Sequence, residues 1–165
     1  MLNGGNEQLM TEHENRYKLM RLLDESFREV RKQIHAEWNR YNVHGLGMTH
    51  AKMLIILAEE GEQNVSYMAE RLSITNGGVT GISDRLIDLG YMIRDRSSAD
   101  RRVVLLRLTE EGRTVVENIR QVRKSVMMKL YRGMSLEHMQ LALELFNLMS
   151  ENLRQEQEEA QQEEH

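Results

Sequence analysis

Two stretches of the 165-residue chain concentrate side chains suited to hydrogen bonding with a polyanion. The first runs Thr75-Asn76-Gly77-Gly78-Val79-Thr80-Gly81-Ile82-Ser83-Asp84-Arg85. Val79 and Ile82 continue to Leu86 and Leu89 at steps of three and four, which predicts a helix from 76 to 89 with one inner face. The positions between them, Asn76, Gly77, Gly78, Thr80, Gly81, Ser83, Asp84 and Arg85, are small or can hydrogen-bond. Such a surface fits a major groove, where base edges are read. Three glycines in one helix each cost about 1 kcal/mol relative to alanine. A core helix gains nothing for that cost, whereas a helix pressed on DNA can use the missing side chains to bring its backbone close. The alternative is that the glycines merely extend the preceding turn and the helix begins later.

The second stretch is Arg96-Ser97-Ser98-Ala99-Asp100-Arg101-Arg102. An arginine inserted in a narrow minor groove meets enhanced negative potential. A nearby carboxylate can orient its guanidinium through paired hydrogen bonds. Asp100 and Arg102 are two apart and therefore on the same side of a strand. Taken alone, the pair reads as a surface ion pair of small worth. Residues 91–107 hold five arginines against Asp95 and Asp100, a local charge of +3. The chain as a whole is formally −4, but residues 151–165 hold six glutamates against Arg154, so the remainder is +1. Affinity for nucleic acid depends on where cations sit more than on their total.

A third group is His35, Trp38, Tyr41, His44 and His50. An imidazole and aromatic set can hold an aromatic anion, or can be a packed elbow between two helices. The histidine spacings of nine and six match no recognised zinc pattern, so no metal site is expected. With no cysteine in the chain, disulfides, thiolate metal sites and cysteine redox chemistry are excluded. No His-Glu-x-x-His, phosphate-loop or Gly-x-Ser-x-Gly motif occurs, so neither an enzyme nor a cofactor is expected. The longest apolar run, 53–58, is too short to span a bilayer. The N-terminus lacks a signal pattern, and the expected location is the cytoplasm.

These residues need elements to position them. No proline interrupts the chain, so helices can run long. Met20, Leu23, Phe27, Val30, Ile34, Trp38 and Tyr41 form one stripe of a helix over 12–41, after a frayed lead-in. Thr49 is the expected cap of a second helix through 58, ended near Gly61. Ser66 is the expected cap of a short third helix, 67–72, and 73–75 forms a tight connection to the helix from 76. Gly90 stops that helix. Residues 91–96 and 102–108 then read as the strands of a β-hairpin with a polar tip. Thr109, followed by Glu110 and Glu111, opens a further helix. Gly133 breaks it, and Ser135 opens the last one. On that last helix Leu136, Met139, Leu143, Phe146, Met149 and Leu153 form one stripe, and Leu141, Leu145 and Leu148 a second. A terminal helix needs one apolar face to dock on its own domain, so the second points to another chain or to a central helix wrapped by this one.

The order short helix, tight turn, second helix, basic-tipped hairpin is that of a winged helix-turn-helix. The segments Val79-Thr80-Gly81-Ile82-Ser83-Asp84-Arg85-Leu86, Leu89-Gly90-Tyr91, Arg94-Asp95-Arg96, Asp100-Arg101-Arg102 and Leu108-Thr109-Glu110-Glu111-Gly112 closely resemble the multiple-antibiotic-resistance regulator (MarR) family. The resemblance covers about 49–113 by motif. It implies a mainly α fold with a small β-hairpin wing. It divides the chain into an N-terminal dimerisation helix (12–47), a winged domain (48–113), C-terminal dimerisation helices (114–157) and an acidic, disordered tail (158–165). It implies a homodimer on a palindromic operator in double-stranded DNA. Thr75, Asn76, Gly77, Gly78, Thr80, Gly81, Asp84 and Arg85 then match the major-groove helix, with Arg85 on a phosphate or tying the helix to the wing. Arg96, Asp100, Arg101 and Arg102 match the wing. The resemblance further implies a repressor released by a small, often aromatic, effector, with His35, Trp38, Tyr41 and His50 as candidate contacts. The other readings are a metal-responsive regulator and a winged-helix scaffold for protein partners.

Overall fold

A computed structural model describes the backbone of every residue except 1–3, 42, 43, 97–99, 101, 164 and 165, and the side chains of these residues except also 4–11 and 156–163. The chain divides into two units, Met1–Val126 and Met127–His165.

In the first unit, helix α1 (Gly4–Tyr41) is longer than the apolar stripe foretells and takes in the expected lead-in. Only its last turns reach the core: Trp38 is buried and its indole N–H donates to the Leu46 carbonyl at 2.9 Å. Helix α2 (Met48–Glu60) is capped by Gly47 rather than Thr49 and ends on Gly61. A two-residue strand, β1 (Gln63–Asn64), follows. Helix α3 (Val65–Leu72) starts two residues earlier than Ser66 suggests, because the Asn64 side chain accepts from the Tyr67 amide at 2.8 Å. Asparagine is at least as good a cap as serine.

The turn from α3 to α4 (Asn76–Asp88) is closed by Ser73, whose φ of 56° is left-handed, and by Ile74 N–H donating to the Ala69 carbonyl. Val79 and Leu86 on α4 are fully buried among Leu54, Leu57, Met68 and Leu72. Each such side chain contributes about 1.5–3 kcal/mol of transfer free energy. Strands β2 (Met92–Arg96) and β3 (Val104–Leu108) pair antiparallel, Met92 opposite Leu108 and Arg96 opposite Val104. β1 pairs with the other edge of β3, so the expected hairpin is two strands of a three-stranded sheet in the order β1-β3-β2. The tip residues Ser97, Ser98, Ala99 and Arg101 lie outside the described residues.

Helix α5 (Glu110–Leu130) opens on Thr109 as expected: the Thr109 hydroxyl accepts from the Gly112 amide at 3.0 Å and donates to the Gly90 carbonyl at 2.7 Å. Val115, Val116 and Ile119 bury its inner face in the same core. Gly90 ends α4 with φ 77°, and Tyr91 N–H reaches back to the Leu86 carbonyl at 3.0 Å, the double-bonded glycine stop.

In the second unit, Ser135 caps helix α6 (Leu136–Glu163) by accepting from the His138 amide at 3.1 Å. The helix continues through Glu163, where composition suggests a disordered tail from 158. Glutamate, glutamine and alanine are strong helix formers, which accounts for the extension.

The tightest packing constraint is at Gly112, where an added Cβ would fall 2.0 Å from the Tyr91 carbonyl oxygen and 3.1 Å from a Leu108 methyl. Backbone cannot yield there. Gly112→Ala is expected to destabilise the protein by about 3 kcal/mol, the upper range for overpacking, read as a lower urea midpoint with an unchanged slope.

Candidate nucleic-acid interface

The face of α4 turned away from the core carries the residues singled out by sequence. Thr75 is its N-cap, the side chain accepting from the Gly78 amide at 3.2 Å. The helix therefore begins at Asn76, and Gly77, Gly78 and Gly81 lie within it rather than in an extended turn. Asn76, Gly77, Thr80, Gly81, Asp84 and Arg85 are exposed. Thr80 turns its hydroxyl back on the Asn76 carbonyl at 3.0 Å, which leaves the hydroxyl oxygen available as an acceptor.

The glycines differ in what surrounds them. A Cβ on Gly81 would meet no atom within 4 Å, and one on Gly77 only the Thr75 hydroxyl at 3.9 Å. Gly78 is tighter, with Ile74 Cδ1 at 3.4 Å. None of the three has a positive φ. Packing among the described residues thus requires no glycine at 77 or 81.

On the wing, Arg102 is 91% exposed and bound through two nitrogens to Asp100: Nε to Oδ1 at 3.2 Å and Nη2 to Oδ2 at 3.1 Å. The Arg102 amide also donates to Asp100 Oδ1 at 2.9 Å, and these bonds hold the Asp100 carboxyl below its ordinary pKa. The pair sits at the bend before β3 rather than within a strand, so a local turn, not strand alternation, brings the two side chains together. Arg96 ends β2 and is exposed. Arg101 lies outside the described residues.

Among the described residues the tie between helix and wing is not made by Arg85. Arg94 on β2 makes it, one nitrogen donating to Ser83 Oγ at 2.8 Å and to Asp84 Oδ1 at 2.9 Å. Sequence reading overlooked Arg94 as the tie and placed Ser83 on the groove-fitting surface, whereas Ser83 is fully buried on the inner face; both left a signal. Ser83 lies four after Val79 and three before Leu86, on the inner face. Arg94 lies two after the buried Met92, on the same side of the strand.

The aromatic and histidine group splits. Trp38 is core. His35 and Tyr41 are exposed, and His50 is partly buried. Burial, and then the Arg85 charge, push the His50 imidazole below its ordinary 6.5. His44 packs edge-on against Tyr91, its Nδ1 3.2 Å from the phenol oxygen. Among the described residues no three His, Asp or Glu side chains converge to hold a metal. A surface groove of about 400 Å³ lies between α3 and the wing, lined by Asn64, Val65, Ser66, Arg102, Val103 and Val104, and takes in none of the aromatic group.

Residues 46–104 match the model of the MarR family. Over that segment the chain is similar to the MarR family. It is 26% identical over 132 residues to the HTH-type transcriptional regulator YpoP of Bacillus subtilis, a match covering 80% of this chain and 94% of YpoP. Its fold is that of Sco3205, a MarR family transcriptional regulator from Streptomyces coelicolor solved with DNA, at a TM-score of 0.71 with 20% identity over 81% of this chain and 86% of that one. It is also that of Bordetella bronchiseptica BpsR, at 0.69 with 21% identity over 77% and 91%. Relatives such as YpoP and MhqR of Bacillus subtilis are named HTH-type transcriptional regulators. Among the described residues no helix is long and apolar enough to cross a membrane.

Because burial is the larger cause of the low His50 pKa, Arg85→Ala should raise it toward 6.5 without reaching that value. A proton-NMR titration of the His50 ring measures this.

Proposed function

We propose that the protein is a homodimeric repressor that grips a palindromic operator through α4 and the wing and lets go when a small aromatic acid binds. The observation that carries the DNA contact is the pair of glycines, Gly77 and Gly81, on the outer face of α4. Each lowers helix stability, and nothing among the described residues needs either. A surface that approaches the backbone closely does, and the edges of bases in a major groove are such a surface. Thr75, Asn76, Gly78 and Thr80 present the cap and hydroxyl groups beside them. Arg85 and Arg96 supply cations for phosphates, and Arg102, aimed by Asp100, enters the minor groove with Arg101 next to it.

Dimerisation is supported by apolar surface. Phe27 on α1 is 47% exposed and Phe146 on α6 is 48% exposed, each within a longer stripe of exposed apolar residues on its own helix. We assign 12–47 and 114–157 to the dimer contact and 48–113 to DNA. Two copies of α4 then meet equivalent points about 34 Å apart, one turn of the duplex. The effector class is supported by BpsR, whose DNA binding is regulated by 6-hydroxynicotinic acid. His35, Tyr41 and His50 are the candidate contacts, with Trp38 as their packed support.

The test is fluorescence anisotropy on a duplex from upstream of the protein's own gene, beside a random duplex, across a salt series. Wild type should prefer the first duplex, with affinity falling steeply as salt rises. Arg102→Ala should flatten the log–log salt slope by about 0.9, one phosphate-equivalent cation. Gly81→Ala should raise the unfolding free energy of the free protein by up to about 1 kcal/mol and yet weaken operator binding. A wild-type protein with no salt-sensitive affinity would remove the DNA reading and favour a protein-binding scaffold.

A further inference from the structure

We infer that Arg94 is a positioning residue: it sets the angle between α4 and the wing, and through that angle the specificity of DNA binding, without itself contacting DNA. This rests on the DNA reading above. Ser83 is fully buried, the one buried polar side chain among the described residues of the core. Its hydroxyl donates to the Thr80 carbonyl at 2.9 Å and accepts from Arg94 Nη2 at 2.8 Å. The second hydrogen on that nitrogen goes to Asp84 Oδ1 at 2.9 Å. A continuous chain therefore runs from β2 through Arg94 and Ser83 to the Thr80 carbonyl, in the middle of the face proposed to read bases.

The geometry has three consequences. First, Asp84 is engaged by Arg94, so its charge is partly neutralised inside the domain. An unpaired carboxylate on this face would repel phosphates. Second, β2 is cross-braced to β3 one residue on, where Arg107 Nη2 donates to Asp95 Oδ2 at 2.6 Å. Arg94 thus couples α4 to a stiffened ribbon rather than to one loose strand. Third, the Arg94 side chain is about one-third exposed, at 34%, which keeps water from competing fully for its bonds. A wing that swings relative to α4 would move Arg102 off the minor groove while leaving every cation in place. Loss of the brace should therefore lower specific binding and spare the nonspecific, purely electrostatic part.

Charge sign separates this role from a direct phosphate contact. Removing Arg94 takes away a positive charge, removing Asp84 takes away a negative one, and Ser83→Ala changes none. If the three side chains act only through their charge, Asp84→Ala tightens all DNA binding, Arg94→Gln weakens all of it with a flatter salt slope, and Ser83→Ala does nothing. If they act as a brace, all three lower operator affinity by about ten-fold, the scale for losing hydrogen bonds to a charged group. Random-duplex affinity then falls for none of them. Anisotropy titrations on both duplexes, with thermal melts of each variant, make the comparison. The arginine change is the one most exposed to folding defects, and Ser83→Ala, nearly isosteric, decides the matter if Arg94→Gln melts early. Wild-type binding with Asp84→Ala tighter on the operator, or with the operator preference of Ser83→Ala unchanged, overturns the brace. Absence of wild-type binding instead overturns the DNA reading beneath it.

Discussion

The winged domain turns on the backbone of Tyr91. Its amide closes α4 by donating to the Leu86 carbonyl, and its own carbonyl accepts from the Thr109 amide at 3.2 Å as the sheet gives way to α5. Gly112 presses on the same carbonyl from the first turn of α5, and His44 from the α1–α2 connection rests on the Tyr91 ring. The end of α4, the base of the wing and the start of α5 are therefore tied at one peptide unit. Only Leu89, Gly90 and Tyr91 separate α4 from β2. With so short a connection, any tilt of the helix is passed to the wing. The Arg94 bonds to Ser83 and Asp84 add a second attachment at a distance from the first, and two attachments define an orientation where one permits a hinge.

Glycine takes two opposite meanings in this chain. At Gly112 the reason lies inside, because a methyl group has nowhere to go. At Gly81 the space is open and the helix would gain from alanine. A residue that lowers stability with no internal return marks a place where function sets the composition. The contrast depends on coordinates, since in the sequence both are simply glycines within helices.

Much of the architecture was legible because its punctuation is local. Gly90, Thr109 and Ser135 mark helix ends with groups that must satisfy or terminate backbone bonds, and their spacing needs no tertiary knowledge. What escaped was long-range or too short to show a period. β1 is two residues long and is a strand only because β3 offers it an edge. The caps Gly47 and Asn64 were passed over for their neighbours Thr49 and Ser66, because cap preference says little about which of two neighbours turns first. A tie to the wing was one of two roles open to Arg85, which stands beside Asp84 in the chain, whereas the partner that reaches Asp84 comes from β2, ten residues on. The aromatic group was read both as an anion pocket and as a packed elbow. Trp38, hydrogen-bonded to Leu46 in the core, belongs to the elbow.

The exposed stripes on α1 and α6 carry a consequence for the life of the molecule. Exposed apolar stripes of this kind mark surfaces that meet partners, and if the proposed second copy covers them, folding and pairing become linked by mass action. A chain fresh from the ribosome is then at its most vulnerable before it meets its double. Scarcity becomes a hazard: the fewer copies a cell makes, the larger the share left solitary, open to proteases and clumping.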